Sequence, residues 1–253
     1  MNEPLVPLLR AAVLDGTGCA HGFTTRDGGV STGPLASLNL ARRPGEDDAH
    51  LAENWRRALD ALGGYAVEQL VLLSQVHGAD VAVVDAPSGW GATLGDYDAA
   101  VTTVPGLVLT TRSADCVPVL FAGPGVVGVA HAGWRGAAAG VIPATVAALR
   151  ARTAGPLAAA IGPAISGAAY EVGPEVVAGL AASGVDPGVF VVDRRGDRSY
   201  VDVGAAVEAQ LRACGVTAVE RIAGCTRGDP ALFSHREDPA CGRQAGLIAL
   251  LVG

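Results

Sequence analysis

Apolar positions in this chain gather into short, dense runs more often than into helical stripes. Val-rich stretches at 70–76, 107–111, 117–122, 126–131 and 157–161 are too short for helices and carry no polar face, which predicts strands covered on both sides. Runs at 189–192, 216–222 and 247–252 repeat the pattern more weakly. Helical spacing appears over 47–62, 137–152 and 203–213. Pro143 lies inside the second of these and predicts a kink or a late start, whereas Pro174 in GPEVVAGLAASG suits the first turn of a short fourth helix. The strand runs often follow one another across short turns, without regular βαβ alternation. The expectation is an α+β fold, with residues 1–253 forming a single domain of mixed β-sheet and flanking helices. Neither an internal repeat nor a Ser/Gly-rich linker divides the chain.

Composition narrows the function classes. Half of the 253 residues are apolar, 17% are charged and the net charge is −7. Without a basic block, nucleic acid is not an expected partner. No segment reaches the ~18 uninterrupted apolar residues of a membrane helix. The stretch MNEPLVPLLRAAVLDG lacks a basic leader and is interrupted by Arg10, so it reads as a mature start. Five cysteines, an odd set without a CxxC, point to free thiols in a reducing cytoplasm. Cys214, just before Gly215 at an expected helix end, reads as a small buried hydrophobe.

Candidate chemistry sits where the apolar runs end. His77 closes LVLLSQVHG, Cys116 precedes VPVLF, and His131 closes VVGVAH. These separations are too long for one local clip but suit ligands converging from neighbouring strands. Two neutral imidazoles and a thiolate form a zinc-compatible set, and three protein ligands leave a fourth position open for catalysis. Each residue alone also fits an ordinary packing or hydrogen-bonding role. A further reading makes Cys116 a nucleophile with His77 or His131 as its base, in a thiol hydrolase. His131 runs directly into Gly133-Trp134-Arg135-Gly136, where a helix start and Arg135 are candidates to hold an anion, and Trp134 reads as core. Two polar loops, 21–41 and 225–243, are long enough to be functional. The HExxH, GxSxG, P-loop and base-deaminase zinc signatures are absent.

Eight motifs carry a resemblance that runs from about residue 20 to the end: TRDGGVS (25–31), SLNL (37–40), QVHG (75–78), ADC (114–116), HAGWRG (131–136), IGPAI (161–165), YEVG (170–173), and the Cys225-Thr226, Phe233-Ser234, Gly242-Arg243 series. Jointly they resemble the bacterial laccase-domain family, also called multicopper polyphenol oxidase or peptidoglycan editing factor and now regarded as purine nucleoside phosphorylases. The resemblance implies zinc ligands at His77, Cys116 and His131. It also implies phosphorolysis of adenosine, inosine, guanosine and methylthioadenosine, together with adenosine deamination.

On that reading the partners are purine nucleosides and phosphate, acted on by a monomer or homodimer. Arg26, Arg135 and Arg243 are the candidate phosphate holders, with Arg26 ranked first because GGV follows it. Asn39 and Gln75 are candidates for the ribose or base, and Asp115 for a proton carrier or a support of Cys116; surface ion pairs and a turn cap are the plain alternatives. Copper is disfavoured, since five histidines are too few for a multicopper centre and the sole methionine is Met1. Two departures stand out: Ser113 replaces the usual threonine before ADC, and Glu237 replaces a common arginine in FSHRED. If that arginine holds phosphate in relatives, phosphorolysis is expected to weaken here while deamination persists. A non-catalytic editing factor or an enzyme acting on a cell-wall precursor stands as the remaining alternative.

Overall fold

A computed structural model describes residues 6–252. The first half contains β1 (Leu8–Leu9), β2 (Cys19–Thr24), α1 (Asp48–Gly63), β3 (Leu70–Val71), β4 (Val81–Val83), β5 (Ala99–Thr102), β6 (Val108–Ser113), β7 (Val117–Gly123) and β8 (Val126–Ala132). The second half contains α2 (Trp134–Ala139), α3 (Val141–Arg150), β9 (Ala158–Ile161), β10 (Glu171–Val172), α4 (Pro174–Ala182), α5 (Pro187–Phe190), β11 (Val191–Arg195), β12 (Arg198–Val201), α6 (Val203–Ala213), β13 (Ala218–Arg221) and β14 (Gln244–Leu250). The fold is α+β.

The strands form a five-stranded sheet in the order β1-β2-β14-β6-β3, a six-stranded sheet in the order β13-β9-β7-β8-β5-β4, and a small β10-β12-β11 sheet. The pairs β3–β6, β4–β5 and β9–β13 are parallel and the remaining pairs antiparallel, so both large sheets are mixed. The C-terminal strand β14 lies inside its sheet, bonded on one side to β2 and on the other to β6.

The unbroken apolar runs have a simple cause. In β7, Val117, Val119 and Phe121 face a core built with the helices that follow β8, while Leu120 and Ala122 face the second sheet. In β8, Val127 and Val129 join the inter-sheet core, and Val126, Ala130 and Ala132 the helical one. In β14, Ile248 and Leu250 point between the sheets, while Leu247 and Ala249 meet Leu51, Trp55, Leu59 and Leu62 of α1. The result is four layers, helix on sheet on sheet on helices. A strand in an inner layer needs apolar residues at every position because its alternating side chains enter two different cores.

Several boundaries depart from the sequence pattern. The run at 70–76 is strand only over Leu70–Val71. Beyond it, Ser74 bonds to Gly95, and Val76, His77 and Gly78 donate to a side chain, so their N–H groups have no strand partner to seek. The helix expected over 137–152 starts earlier, at Trp134, and is split at Gly140, whose left-handed φ of 90° ends α2. Pro143 then falls in the first turn of α3, where its missing N–H costs nothing. The run at 189–192 is divided: Asp186 caps α5 with Pro187 at its first position, and strand begins only at Val191. The 203–213 helix has the expected bounds, ending at Cys214 with Gly215 beyond it.

No helix among the described residues is long and apolar enough to cross a membrane. The five cysteines are unpaired. The inter-sheet core sets an expectation: Leu120→Ala, at a fully buried position, lowers stability by about 2–5 kcal/mol in urea titration. Val83→Ala, half exposed on β4, changes it by less than about 0.5 kcal/mol.

Candidate active site

The loop after β3, the residue before β7 and the end of β8 converge at one rim of the inter-sheet core. His131 shares the face of β8 that carries Val127 and Val129, and it pairs in register with Pro118 of β7. Cys116 precedes β7, so the antiparallel β7–β8 pairing brings it beside the end of β8. The ligand atoms of His77, Cys116 and His131 lie within 4.8 Å of one another. The two imidazole rings tilt by 57° at a centroid distance of 4.9 Å. His77 is exposed, Cys116 half-buried and His131 buried, so the cluster opens to solvent on one side.

Asp98, which the sequence reading did not single out, arranges this cluster. Its side chain is wholly buried. It accepts backbone N–H bonds from Val76, His77 and Gly78 at 3.1, 3.0 and 2.6 Å, and the His131 Nδ1–H bond at 2.8 Å. Its own carbonyl accepts the His131 N–H at 2.7 Å. One carboxylate thus holds the loop bearing His77 and fixes the His131 ring, leaving Nε2 to face the cluster. Burial alone would raise the Asp98 pKa, but these donors outweigh it and hold the carboxyl below its usual range. Its only sequence signal is a position one residue ahead of the apolar AAVT of β5.

Cys116 and His131 are coupled electrostatically. Burial would push the thiol up, yet His131 and His77 prevail and bring it well below the ordinary cysteine range. Burial likewise opposes charge on His131, yet the Cys116 thiolate and Asp98 keep the imidazole protonated above its usual range. The two shifts describe a thiolate beside an imidazolium, each charge favoured by the other.

The backbone also bends to make the site. His77 and Asp115 are the non-glycine residues with positive φ among the described residues, at 62° and 92°. Such conformations cost of order 1 kcal/mol or more and need local support. Asp98 provides it for His77. Asp115 accepts from Thr226 Oγ1 at 2.6 Å, Ser234 Oγ at 2.7 Å and the Arg236 N–H at 2.6 Å. Its carboxylate therefore anchors the 225–243 loop over Cys116. Gly133 meets a different demand: a Cβ there would stand 2.7 Å from His77 Nδ1 and 3.1 Å from Cys116 Sγ, closing the space beside the donors.

Two cavities meet at the cluster. One, of about 370 Å³, is lined by Arg42, Arg43, Arg112 and Arg243 with no carboxylate among its lining residues. Burial, reinforced by Arg243, brings Arg112 down to about 10. Burial and Arg43 lower Arg243 as well. Ser113 Oγ and Arg43 Nε, both in this lining, are buried without a hydrogen-bond partner. Cationic crowding and unpaired donors together describe a place for an anion. The second cavity, of about 220 Å³, is walled by Trp134, Tyr170, Ile165 and Val203, with Arg135 and Arg236 at its edge. Arg135 stacks on Trp134 at 4.5 Å and Arg236 on Tyr170 at 4.8 Å. Trp134 also packs against the helical core, as expected.

The other sequence candidates divide. Arg243 and Gln75 line the arginine-rich cavity and Arg135 the aromatic one. The Gln75 amide, however, is spent on the Arg112 backbone, donating at 2.7 Å and accepting at 2.9 Å. Asn39 is not brought to either cavity: it is wholly buried and spends its amide on Ala41, Glu46 and the Arg243 N–H. Arg26 is not brought to them either. It stacks on Phe233, donates to the Ala36 carbonyl, and lines a separate cavity on the other side of the 225–243 loop. Glu237 lines that same separate cavity, so its departure from the family pattern lies away from the cluster. Arg112 and Arg43 also line the arginine-rich cavity, and the one signal for them in the sequence is that Arg112 directly precedes the Ser-Ala-Asp-Cys run.

This architecture is shared with known proteins. A family model described as multi-copper polyphenol oxidoreductase laccase matches residues 20–251, and the chain belongs to that family. A Streptomyces griseus protein named purine nucleoside phosphorylase ORF3 is 45% identical, aligned over 92% of this chain and 96% of its own length. A Deinococcus radiodurans purine nucleoside phosphorylase is 40% identical over 99% and 95%. YlmD from Geobacillus stearothermophilus, a solved structure, superposes with a TM-score of 0.89 at 33% identity, covering 100% of this chain and 98% of its own. The Bacillus licheniformis protein YfiH gives 0.86 at 27%, over 94% and 98%.

Asp98→Asn places an NH2 group where donors converge. It is expected to lower stability by about 1–3 kcal/mol and to weaken metal binding by roughly 10–100-fold, read by urea titration and by chelator competition. Full metal affinity in the variant would show that the carboxylate does not orient the donors.

Proposed function

We propose that the chain acts as one catalytic domain, residues 1–253, a zinc-dependent purine nucleoside phosphorylase of the cytoplasm, working as a monomer or homodimer. One observation supports this reading above the others. The His77–Cys116–His131 cluster stands at the junction of a carboxylate-free arginine cavity and an aromatic one. Phosphorolysis of a nucleoside needs an anion on one side of the sugar carbon and a flat base on the other.

The donor set fits zinc. Two imidazoles and a thiolate of lowered pKa match its preferences, Asp98 supports the His131 ligand, and Gly133 leaves room beside the donors. His77, Cys116 and His131 would hold the ion. When bound it would supply Lewis acidity and lower the pKa of a water ligand, chemistry suited to adenosine deamination as a second activity.

The chain's own residues supply the substrate contacts that phosphorolysis needs. Arg43, Arg112 and Arg243 hold the phosphate, and Ser113 and Arg43 offer it their unpaired donors. Trp134 and Tyr170 flank the purine of adenosine, inosine, guanosine or methylthioadenosine. A phosphate oxygen bonds to C1′ as the C1′–N9 bond breaks and its electron pair passes to the purine. Arg135 and Arg236, at the edge of the aromatic cavity, stabilise that developing charge. Their guanidiniums are already oriented by stacking.

A second reading has a specific observation behind it. Cys116, His131 and Asp98 follow the nucleophile–base–orienter order of a thiol hydrolase. Such a dyad needs only one imidazole, whereas two are directed at the Cys116 region here, which favours a metal centre.

The purified protein is expected to contain stoichiometric zinc and to convert inosine and phosphate to hypoxanthine and ribose 1-phosphate. Chelation should abolish turnover and speed alkylation of Cys116. Phosphorolysis that survives complete metal removal would overturn the zinc dependence, and metal-free hydrolysis of an amide or ester blocked by alkylation of Cys116 would support the thiol hydrolase. Arg243→Gln is expected to raise the KM for phosphate roughly tenfold with little change in the KM for inosine, read from steady-state kinetics.

A further inference from the structure

We infer that His235 is the residue that grips the sugar of the nucleoside, an assignment that rests on the phosphorylase reading. Among the described residues, only His77, Ala114, Cys116 and His235 line both the arginine cavity and the aromatic cavity. With a phosphate in one and a purine in the other, whatever joins the two lies against these four. His77 and Cys116 belong to the metal cluster and Ala114 has no polar side-chain atom. His235 is the polar side chain that remains.

Its neighbours hold it there. Ser234 Oγ and the Arg236 N–H, on either side of His235, both bind the Asp115 carboxylate, at 2.7 and 2.6 Å. Asp115 is the residue before Cys116. The backbone at 235 is therefore pinned to the segment that carries the thiolate, and the imidazole is presented at the junction without spending its own nitrogens. His235 is exposed and makes no hydrogen bond, ion pair or ring contact with any described residue. Elsewhere, His21 is buried against Ala11 and His50 sits in the first turn of α1. A neutral imidazole offers one donor and one acceptor on a rigid ring. Each ribose hydroxyl is likewise both donor and acceptor, so the match is chemical as well as spatial.

The test compares kcat/KM for inosine and its 2′-, 3′- and 5′-deoxy analogues, with inorganic phosphate, in the zinc-loaded protein and in His235→Ala and His235→Gln. Calorimetric binding of hypoxanthine is measured alongside. His235→Ala is expected to lose roughly tenfold on inosine and markedly less on the analogue lacking the gripped hydroxyl. Hypoxanthine binding and the thermal midpoint should hold, and His235→Gln, which keeps a donor and an acceptor, should recover part of the loss. An equal loss on inosine and all three analogues, or an equal weakening of hypoxanthine binding, overturns the assignment and leaves the phosphorylase reading standing. Absence of phosphorolysis of inosine, adenosine, guanosine and methylthioadenosine alike by the unmodified protein overturns that reading and this assignment with it.

Discussion

The buried carboxylate of Asp98 is the constraint on which the site depends. It joins two pieces of chain that the sheet topology alone would leave independent: the irregular segment after β3 and the end of β8. A buried carboxylate without partners would be strongly unfavourable. Here three backbone N–H groups and one imidazole satisfy it, and removing any of them would leave the charge poorly compensated. The same bonds hold His77 in a left-handed conformation. Folding and site assembly are therefore one event at this point.

Asp115 plays a matching part for the other wall. It turns the chain into β7 and collects the 225–243 loop through Thr226, Ser234 and Arg236. Between them the two aspartates place the cluster at a boundary, cationic on one side and aromatic on the other. Neither carboxylate faces the arginine cavity, and although Arg42 is ion-paired with Asp48, the charge of Arg43, Arg112 and Arg243 is left for a ligand to neutralise.

Much of the fold was readable because two-sided burial leaves a plain mark: Val117–Gly123 and Val126–Ala132 are apolar at every position or nearly so. The meeting of residues 77, 116 and 131 was anticipated from residue type and from their places at element ends. What could not be read were relations set by tertiary bonding. Asp98 is one of 25 acidic residues, and nothing local marks it as the acceptor of bonds from the loop some twenty residues earlier. Arg26 and Asn39 stand in motifs that look functional, yet the chain spends them on Phe233 and on the Arg243 backbone. Pro143 predicts a kink or a late start because a proline announces itself, whereas the left-handed Gly140 that actually divides the helix is ambiguous until its neighbours are placed.

The central seat of β14 bears on how the protein is made. Strands β2 and β6 emerge early from the ribosome, yet each waits for residues 244–250 as its inner partner. The donor residues 77, 116 and 131 are all synthesised while that sheet still has an open slot. A nascent chain must keep its half-built layers from sticking to others until the last strand slides in. The core between the sheets, to which β14 gives Ile248 and Leu250, is then closed only by the finished polypeptide.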